Sequence, residues 1–421
     1  MKKLILIFLF VFLNISLSED LQNINGWKFS GEYLGRTELD GRDFSNITYM
    51  PIVTLMRARF GVEREITNKV SFKLQMQDSR LFGDNANGQN SSATYLYQGY
   101  VILQDLIFND LDLQIGRFEM DYSNGRIFSS DEWSPFGKSF DGVKIDYSLE
   151  NIHLSLFDLY TNNIWKYIVE VLPGNQPYPA TSDNSSNIYG LWYDQKISES
   201  SVNAYLIYEL NRNQSNGVNP DLNRYLIGGN FAFKITDNFK AFCEFNYQFG
   251  EKAGKKINAM QISADWNYKF DYFNLGVAED ISSGQNPTDA TDYTIFENST
   301  GTKHPFYGDM DYFYSAAGMS NLGIMDTKIY VSNLNPENTI NYKIAYHHFD
   351  SQKKSIIDYT NFGDEIDATL FYKLNEASEL QLGCGTFLPD DLMKYQYRIK
   401  PNLYRSDPGY WAYLQVNVKL K

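Results

Sequence analysis

The residues of this chain best suited to chemistry are basic, and the chemistry they suggest is the binding of anions. Guanidinium groups hold carboxylates through paired N–H donors, and ammonium groups hold them as point charges. The candidates for contact with an anionic solute are Arg36, Arg57, Arg59, Lys73, Arg117, Arg126, Lys138 and Lys144. A second interpretation stays open for each: the residue pairs with a carboxylate and braces the protein. The carboxylates considered for this are Glu63, Asp112, Asp131, Asp141 and Asp146.

Other kinds of site have little support. His153 has serines close in sequence (Ser148 and Ser155), but no nucleophile motif surrounds it, so we expect no catalysis. The four histidines and the distant pair Cys243 and Cys384 form no ligand pattern, so we expect neither metal nor cofactor. The net charge of -14 argues against a nucleic-acid partner.

The first 18 residues have the pattern of a secretory signal peptide. Lys2 and Lys3 precede the apolar run Leu4–Leu13, and Ser16-Leu17-Ser18 supplies small residues at the cleavage positions. The apolar run is too short to span a membrane as a helix. We therefore expect the mature chain to be residues 19–421, a single domain outside the cytoplasm.

The mature chain reads as about 18 strands of alternating apolar and polar residues. Short turns and long polar loops follow each other in strict alternation, as in an up-and-down barrel with turns at one rim and loops at the other. The chain contains 32 Tyr and has a mean hydropathy of -0.41, as a barrel with aromatic girdles and a polar lumen would. The fold class predicted is all-β, a single transmembrane antiparallel up-and-down β-barrel. The longest loop, 283–322, is either an inward plug or a surface cap.

Strand alternation predicts which basic residues enter the lumen. Met56, Ala58 and Phe60 suit lipid, so Arg57 and Arg59 face inward. An Arg or Lys turned to lipid near the midplane would cost roughly 2–4 kcal/mol. The same argument turns Arg36, Lys73 and Lys144 inward.

Arg117 is an exception, because it shares its face with the apolar Leu113 and Ile115. Either a bulge follows Gly116 or the strand has already left the membrane. We expect Arg117 to form a basic cluster over the pore with Arg126 and Lys138.

An ordered set of motifs carries a family resemblance. Gly116-Arg117, Gly125-Arg126, Trp133 and the run 137–143 (GKSFDGV) stand in this order within about 30 residues. The run 304–313 and the segments around 364–367, 387–389 and 413–415 extend the match. Together they resemble the alginate-export family of outer-membrane β-barrel porins.

The resemblance implies a barrel of 18 antiparallel strands in the bacterial outer membrane, in contact with lipid and monomeric. It implies a channel for a hydrophilic solute, with a carbohydrate or an anionic polysaccharide such as alginate as candidates. The short last turn, Asn375-Glu376-Ala377, departs from the long turn of the best-known exporter and weakens any link to a secretion machine. The alternative is a barrel with a plugged lumen that serves as a surface structural protein or adhesin.

Overall fold

The computed structural model describes residues 23–24, 26–44, 50–83, 93–162, 186–212, 221–289, 291–302, 304–313, 321–398 and 407–420. The expected signal peptide lies outside the described residues and stays a prediction. Within them there are nineteen strands and one helix. The elements are β1 Asn23–Ile24, β2 Trp27–Gly41, β3 Ile52–Thr67, β4 Val70–Leu81, β5 Ala93–Leu103, β6 Leu111–Phe118, β7 Phe140–Leu149, β8 Ile152–Asn162, β9 Ser186–Ile197, β10 Ser200–Asn211, β11 Leu222–Lys234, β12 Phe239–Lys252, β13 Lys255–Lys269, β14 Asn274–Ser282, β15 Ile324–Asn333, β16 Ile340–Asp350, β17 Asn361–Asn375, β18 Ser378–Pro389, α1 Asp391–Arg398 and β19 Gly409–Leu420.

Strands β2 to β19 form one closed antiparallel barrel of 18 strands. Each strand pairs with the next in sequence, and β19 pairs with β2 from Tyr410 opposite Gly41 to Leu420 opposite Gly31. The two-residue β1 only folds back on the start of β2. Closure leaves no strand edge unpaired, which an apolar phase requires. The predicted fold class is confirmed.

Side chains alternate between a polar lumen and an apolar outer face. In β13 the buried Gln261 and Ser263 face inward, whereas the alternating residues Met260 and Ile262 are exposed on the outside. In β3, Arg57 and Arg59 are buried while Phe60 is exposed. The outer face is therefore the surface that meets lipid.

The connections depart from strict alternation at one place. Turns of two residues join β3 to β4, β7 to β8, β9 to β10 and β17 to β18 at one rim, but Ala253-Gly254 also joins β12 to β13 at the opposite, long-loop rim. Both turn residues have positive φ (49° and 78°), as the tight turns of long hairpins require. The expected loop at 250–256 is wrong, because these strands continue pairing to Lys252 and Lys255.

The lumen contains two apolar clusters and the only helix of the described residues. The first cluster lies against β6 to β13 and is built around Phe118, Phe128, Phe157 and Trp192. The second lies against β15 to β19 and includes Leu392 and Met393 of α1, a helix that the sequence analysis did not predict. No helix in the described part of the chain is long and apolar enough to cross a membrane.

A charge on the outer face tests the membrane orientation. We expect Leu414→Arg, in the middle of β19 and 52% exposed, to lower the free energy of unfolding by about 2–4 kcal/mol, because the cation enters the hydrocarbon. The matched control is Leu334→Arg in the β15–β16 turn, where the cost should be about 0–1 kcal/mol. Urea unfolding in phospholipid vesicles measures both, and equal costs would contradict the assignment.

Candidate functional site

The loop between β6 and β7, residues 119–139, folds into the barrel; we call it the constriction loop. Its apolar residues Met120, Ile127 and Phe128 are at most 3% exposed. Tyr122 stacks on Trp192 of the wall with ring centroids 4.5 Å apart. Burying these side chains against the first apolar cluster supplies a driving force for the inward fold.

One part of the constriction loop is fixed to β3. The Glu132 carboxylate accepts hydrogen bonds from Arg57 Nη2 at 2.5 Å and from Arg59 Nη1 at 2.7 Å. Arg57 also donates to the carbonyl oxygen of Ser134 at 2.9 Å, and its Nε donates to Glu32 at 3.0 Å. Both guanidiniums therefore have carboxylate partners on two sides.

Another part of the same loop is fixed to the opposite wall. Arg126 Nε donates to Glu244 in β12 at 3.0 Å, and its Nη2 donates to Asp280 in β14. In a ring of 18 strands, β3 and β12 are nine strands apart in either direction. The constriction loop thus crosses the whole lumen.

The loop between β14 and β15 spans residues 283–323, and we call it the long loop. Its described parts, 283–289, 291–302, 304–313 and 321–323, also fold inward. Backbone hydrogen bonds join the two loops, from Ser129 to Thr300 and from Thr302 to Gly125. Phe313 packs among Phe349 and Phe362 of the wall. Of the two expectations for this loop, the inward fold is found.

An aromatic sandwich connects both loops to the wall. The Trp133 ring lies between the Arg36 guanidinium, 3.7 Å from its centroid, and the His304 ring, 3.6 Å away and nearly parallel. His304 Nδ1 lies 3.1 Å from a carboxylate oxygen of Asp311. Trp411 and Tyr413 of β19 are buried in this packing and fill space.

The electrostatics of the constriction loop follow from burial and from these cations. Burial alone would raise the pKa of Glu132, but the Arg57 and Arg59 guanidiniums outweigh it and hold that pKa below its ordinary value. For Glu119 the burial effect dominates, and its pKa is raised although Arg59 lies near. Glu132 is therefore the firmly charged carboxylate of the pair.

The remaining predicted residues lie at separate places. Lys144 pairs with Asp146 at 2.8 Å, and Lys138 donates to the carbonyl oxygen of Gly301 at 2.5 Å and lies 3.5 Å from Asp131. Lys73 faces the lumen, and within the described chain no carboxylate oxygen lies within 4.0 Å of its ammonium. Each of these residues is only partly buried.

Of the expectations for Arg117, the bulge and the basic cluster are not found. β6 pairs in regular register with β5 and β7 through Gly116 and Arg117, so no bulge turns the side chain inward. Arg117 stays on the outer face with Ile115 and pairs there with Asp141 at 2.7 Å. Because Arg126 lies against β12 and β14, the expected cluster of Arg117, Arg126 and Lys138 does not form.

Three acidic residues of this network were missed from sequence: Glu132, Glu244 and Asp280. Glu244 and Asp280 lie on the inward faces of β12 and β14, which the alternation could have indicated. Their partner Arg126 is 118 and 154 residues away in the chain, and no local signal links them.

The histidine and serine singled out from sequence do not form a catalytic pair. Asp146 accepts a hydrogen bond from Ser155 at 2.5 Å and lies 3.4 Å from His153, so the acid stands between base and hydroxyl. No group of three or more potential ligands could hold a metal ion in the described part of the chain.

Comparison with known proteins identifies the family. The sequence profile described as alginate export matches residues 52–398. The chain belongs to the alginate-export family. It is accordingly a protein of the bacterial outer membrane, in a family of porins and channels. Among proteins with curated descriptions, none matches this sequence.

Solved structures show the same fold in distant proteins. Pseudomonas aeruginosa OccK2 (OpdF), solved in complex with glucuronate, has a TM-score of 0.63 and 12% identity, over 94% of this chain and 99% of that one. P. aeruginosa OccK8 (OprE) gives 0.63 and 11% over 94% and 98%. Acinetobacter baumannii OccAB4 gives 0.58 and 12% over 93% and 98%. At these identities the likeness concerns the fold.

Replacing Arg126 should free the constriction loop from β12 and β14. Arg126→Met leaves Glu244 and Asp280 buried without a cation, which costs about 3–5 kcal/mol. We expect amide hydrogen exchange in residues 119–139 to accelerate at least 100-fold, with the strands unchanged. Arg117→Met is the matched control, since it removes an exposed outer pair worth about 0.2–1 kcal/mol. Equal effects of both variants would contradict this anchor.

The attachment to β3 should resist mild acid. Because the docked loop lowers the pKa of Glu132, its contribution to docking is complete above the ordinary glutamate pKa, about 4.3. It is lost only as pH falls further, through the lowered pKa. We expect exchange in residues 130–138, corrected for intrinsic rates, to stay constant from pH 8 to 5 and to rise below about pH 4. In Glu132→Gln, these residues should exchange faster at every pH, without the rise below about pH 4. If that rise were unchanged in the variant, a group other than Glu132 would cause it.

Proposed function

We propose that this protein is a monomeric, narrow channel of the outer membrane that passes small hydrophilic solutes past the constriction loop. The observation that carries this proposal is the attachment of that loop to opposite walls of the barrel. Glu132 of the loop forms ion pairs with β3, and Arg126 of the loop forms ion pairs with β12 and β14. A loop fixed across a lumen limits the width that a solute meets, and pore width with lining charge sets selectivity.

A carbohydrate is the first class of solute to test. The family is described as exporting alginate, and OccK2 was solved with glucuronate, so a uronate is the natural anionic member of that class. Support for an anionic polysaccharide ends there, because Arg57 and Arg59 already hold Glu32 and Glu132. The Glu132 side chain is 42% exposed and that of Arg57 only 1%, so the lumen meets the carboxylate first.

We therefore assign Arg57 and Arg59 to bracing the constriction loop. A solute carboxylate would have to replace Glu132 before it reached either guanidinium. Lys73 is the better candidate for direct solute contact, since it faces the lumen and its ammonium has no carboxylate within ion-pair distance in the described chain.

A structural role with a closed lumen is the second candidate. It is favoured by the two apolar clusters, which occupy the lumen beside both inward loops. Such a protein would present its loops at the cell surface and pass little current.

Single-channel recording in planar bilayers separates the two. We expect the native protein to conduct and Arg57→Ala with Arg59→Ala to conduct more, because Glu132 loses its wall partners and the constriction loop loosens. The control pair, Arg57→Lys with Arg59→Lys, keeps the charge and should lie between. If conductance were the same in the native protein and both double variants, Arg57 and Arg59 would not brace the constriction loop. If none of the three conducted, the closed structural protein would be favoured.

Solute passage is tested in vesicles containing the native protein. Swelling rates with glucose, glucuronate and a trisaccharide of uronates compare charge and size separately. We expect glucose to enter fastest and the trisaccharide slowest. Faster entry of glucuronate than of glucose would indicate that the arginines or Lys73 bind the anionic solute.

A further inference from the structure

The long loop rests on buried carboxyl groups of β17. The amide of Met310 donates to Glu365 Oε1 at 2.8 Å, and the amide of Asp309 donates to Asp367 Oδ2 at 3.3 Å. Glu365 and Asp367 are 0% and 2% exposed. Two backbone N–H groups of the loop thus depend on two carboxyl groups inside the barrel.

The approach of the loop to Glu365 is very close. Gly308 has φ +85°, and a Cβ built on it would lie 2.4 Å from Glu365 Oε1. On the other side, a Cβ on Gly385 would lie 2.6 Å from Asp367 Oδ1 and 2.8 Å from Met310 Cγ. The glycines permit the loop and the strands to enclose both carboxyl groups, so water has little access.

One oxygen on each of these carboxyl groups has no donor. Glu365 Oε2 and Asp367 Oδ1 are both buried without a hydrogen-bond partner, although Glu365 and Asp367 are neighbours on the same buried face of β17. Two carboxylates are acceptors only, and a contact between them is a hydrogen bond only when one carries a proton. Unprotonated, they would be two like charges in a site of low dielectric constant.

The surrounding charges do not supply another donor to these oxygens. Asp326 and Lys328 face the site from β15, Lys343 and His347 from β16, Asp309 and His304 from the long loop, and Tyr413 from β19. From β18 the neighbours are Gly385 and Phe387.

Two of these groups are already engaged. Lys343 lies 3.4 Å from Asp309. His347 Nδ1 is held by Asp326 at 2.8 Å, and its Nε2 is 3.9 Å from Asp367, too far for a hydrogen bond.

We propose that Glu365 and Asp367 share one proton, and that this proton holds the long loop against the wall of the lumen. Loss of the proton leaves Glu365, Asp367 and Asp309 as adjacent carboxylates. Their repulsion weakens the contacts that Met310 and Asp309 make with β17. The loop is docked at low pH and released as pH rises, which is the opposite direction to the acid step of Glu132.

Amide hydrogen exchange of residues 304–313 measures directly how firmly the long loop is held against β17. In the native protein in vesicles, we expect protection, corrected for intrinsic rates, to fall at least tenfold between pH 5 and 9. Glu365→Gln replaces the shared proton with an amide donor, so its protection should stay constant over the same range. Asp367→Asn does the same from the other side, should one variant fail to fold. Glu279→Gln, on the outer face, is the matched control and should follow the native curve.

Each result has a distinct meaning. Native protection independent of pH would overturn the proposal, and so would an unchanged pH dependence in Glu365→Gln. Gly308→Ala should reduce protection at every pH, since its Cβ displaces the loop from Glu365. If the protein is the proposed channel, its conductance should rise with pH as the loop is released. If no current flows but exchange still depends on pH, the channel function is wrong and the shared proton still holds the long loop.

Discussion

A buried guanidinium needs a carboxylate, and this requirement organises the inside of the barrel. Arg36, Arg57, Arg59 and Arg126 leave water almost completely, and each has an acidic partner on the wall or on an inward loop. The desolvation of such ions is large, and their mutual attraction offsets it only when geometry and further hydrogen bonds are good. The loops are therefore positioned by the charges they must satisfy, and apolar packing fills the space that remains.

The same requirement leaves each loop two favourable positions: one with its ion pairs buried, and one with both partners of each pair in water. Removing one partner of a buried pair is costly, whereas moving both into water restores their hydration. The Glu132 side chain is 42% exposed and therefore close to water, whereas the side chains of Asp280 and Glu244 are deeply buried. The β3 attachment is thus the one most easily exchanged for water or for another carboxylate. The attachment to β12 and β14 behaves as a fixed support.

The barrel could be predicted from the sequence because its determinants are local. Alternation along each strand and the turn residues between strands carry the number, order and orientation of the elements, and Arg57 and Arg59 enter the lumen as that alternation requires. The turn at Ala253-Gly254 was missed because two long strands pair to their ends through residues that read as polar loop. Strand alternation places Arg117 on the outer face, where an ion pair with Asp141 near the end of the strand satisfies it, so the expected bulge and the expected cluster with Arg126 and Lys138 do not form.

The interior could not be predicted in the same way. Nothing near Arg126 in sequence indicates Glu244 or Asp280, and nothing near Trp133 indicates Arg36 or His304. These partners meet only because two loops from different parts of the ring enter one lumen, and there the residues of each loop complete the environment of the other. Trp133 shows the consequence: one face rests on the wall through Arg36, and the other carries the long loop through His304. A displacement of either loop removes one face of that sandwich, so the two loops share the cost of moving and respond as a coupled pair.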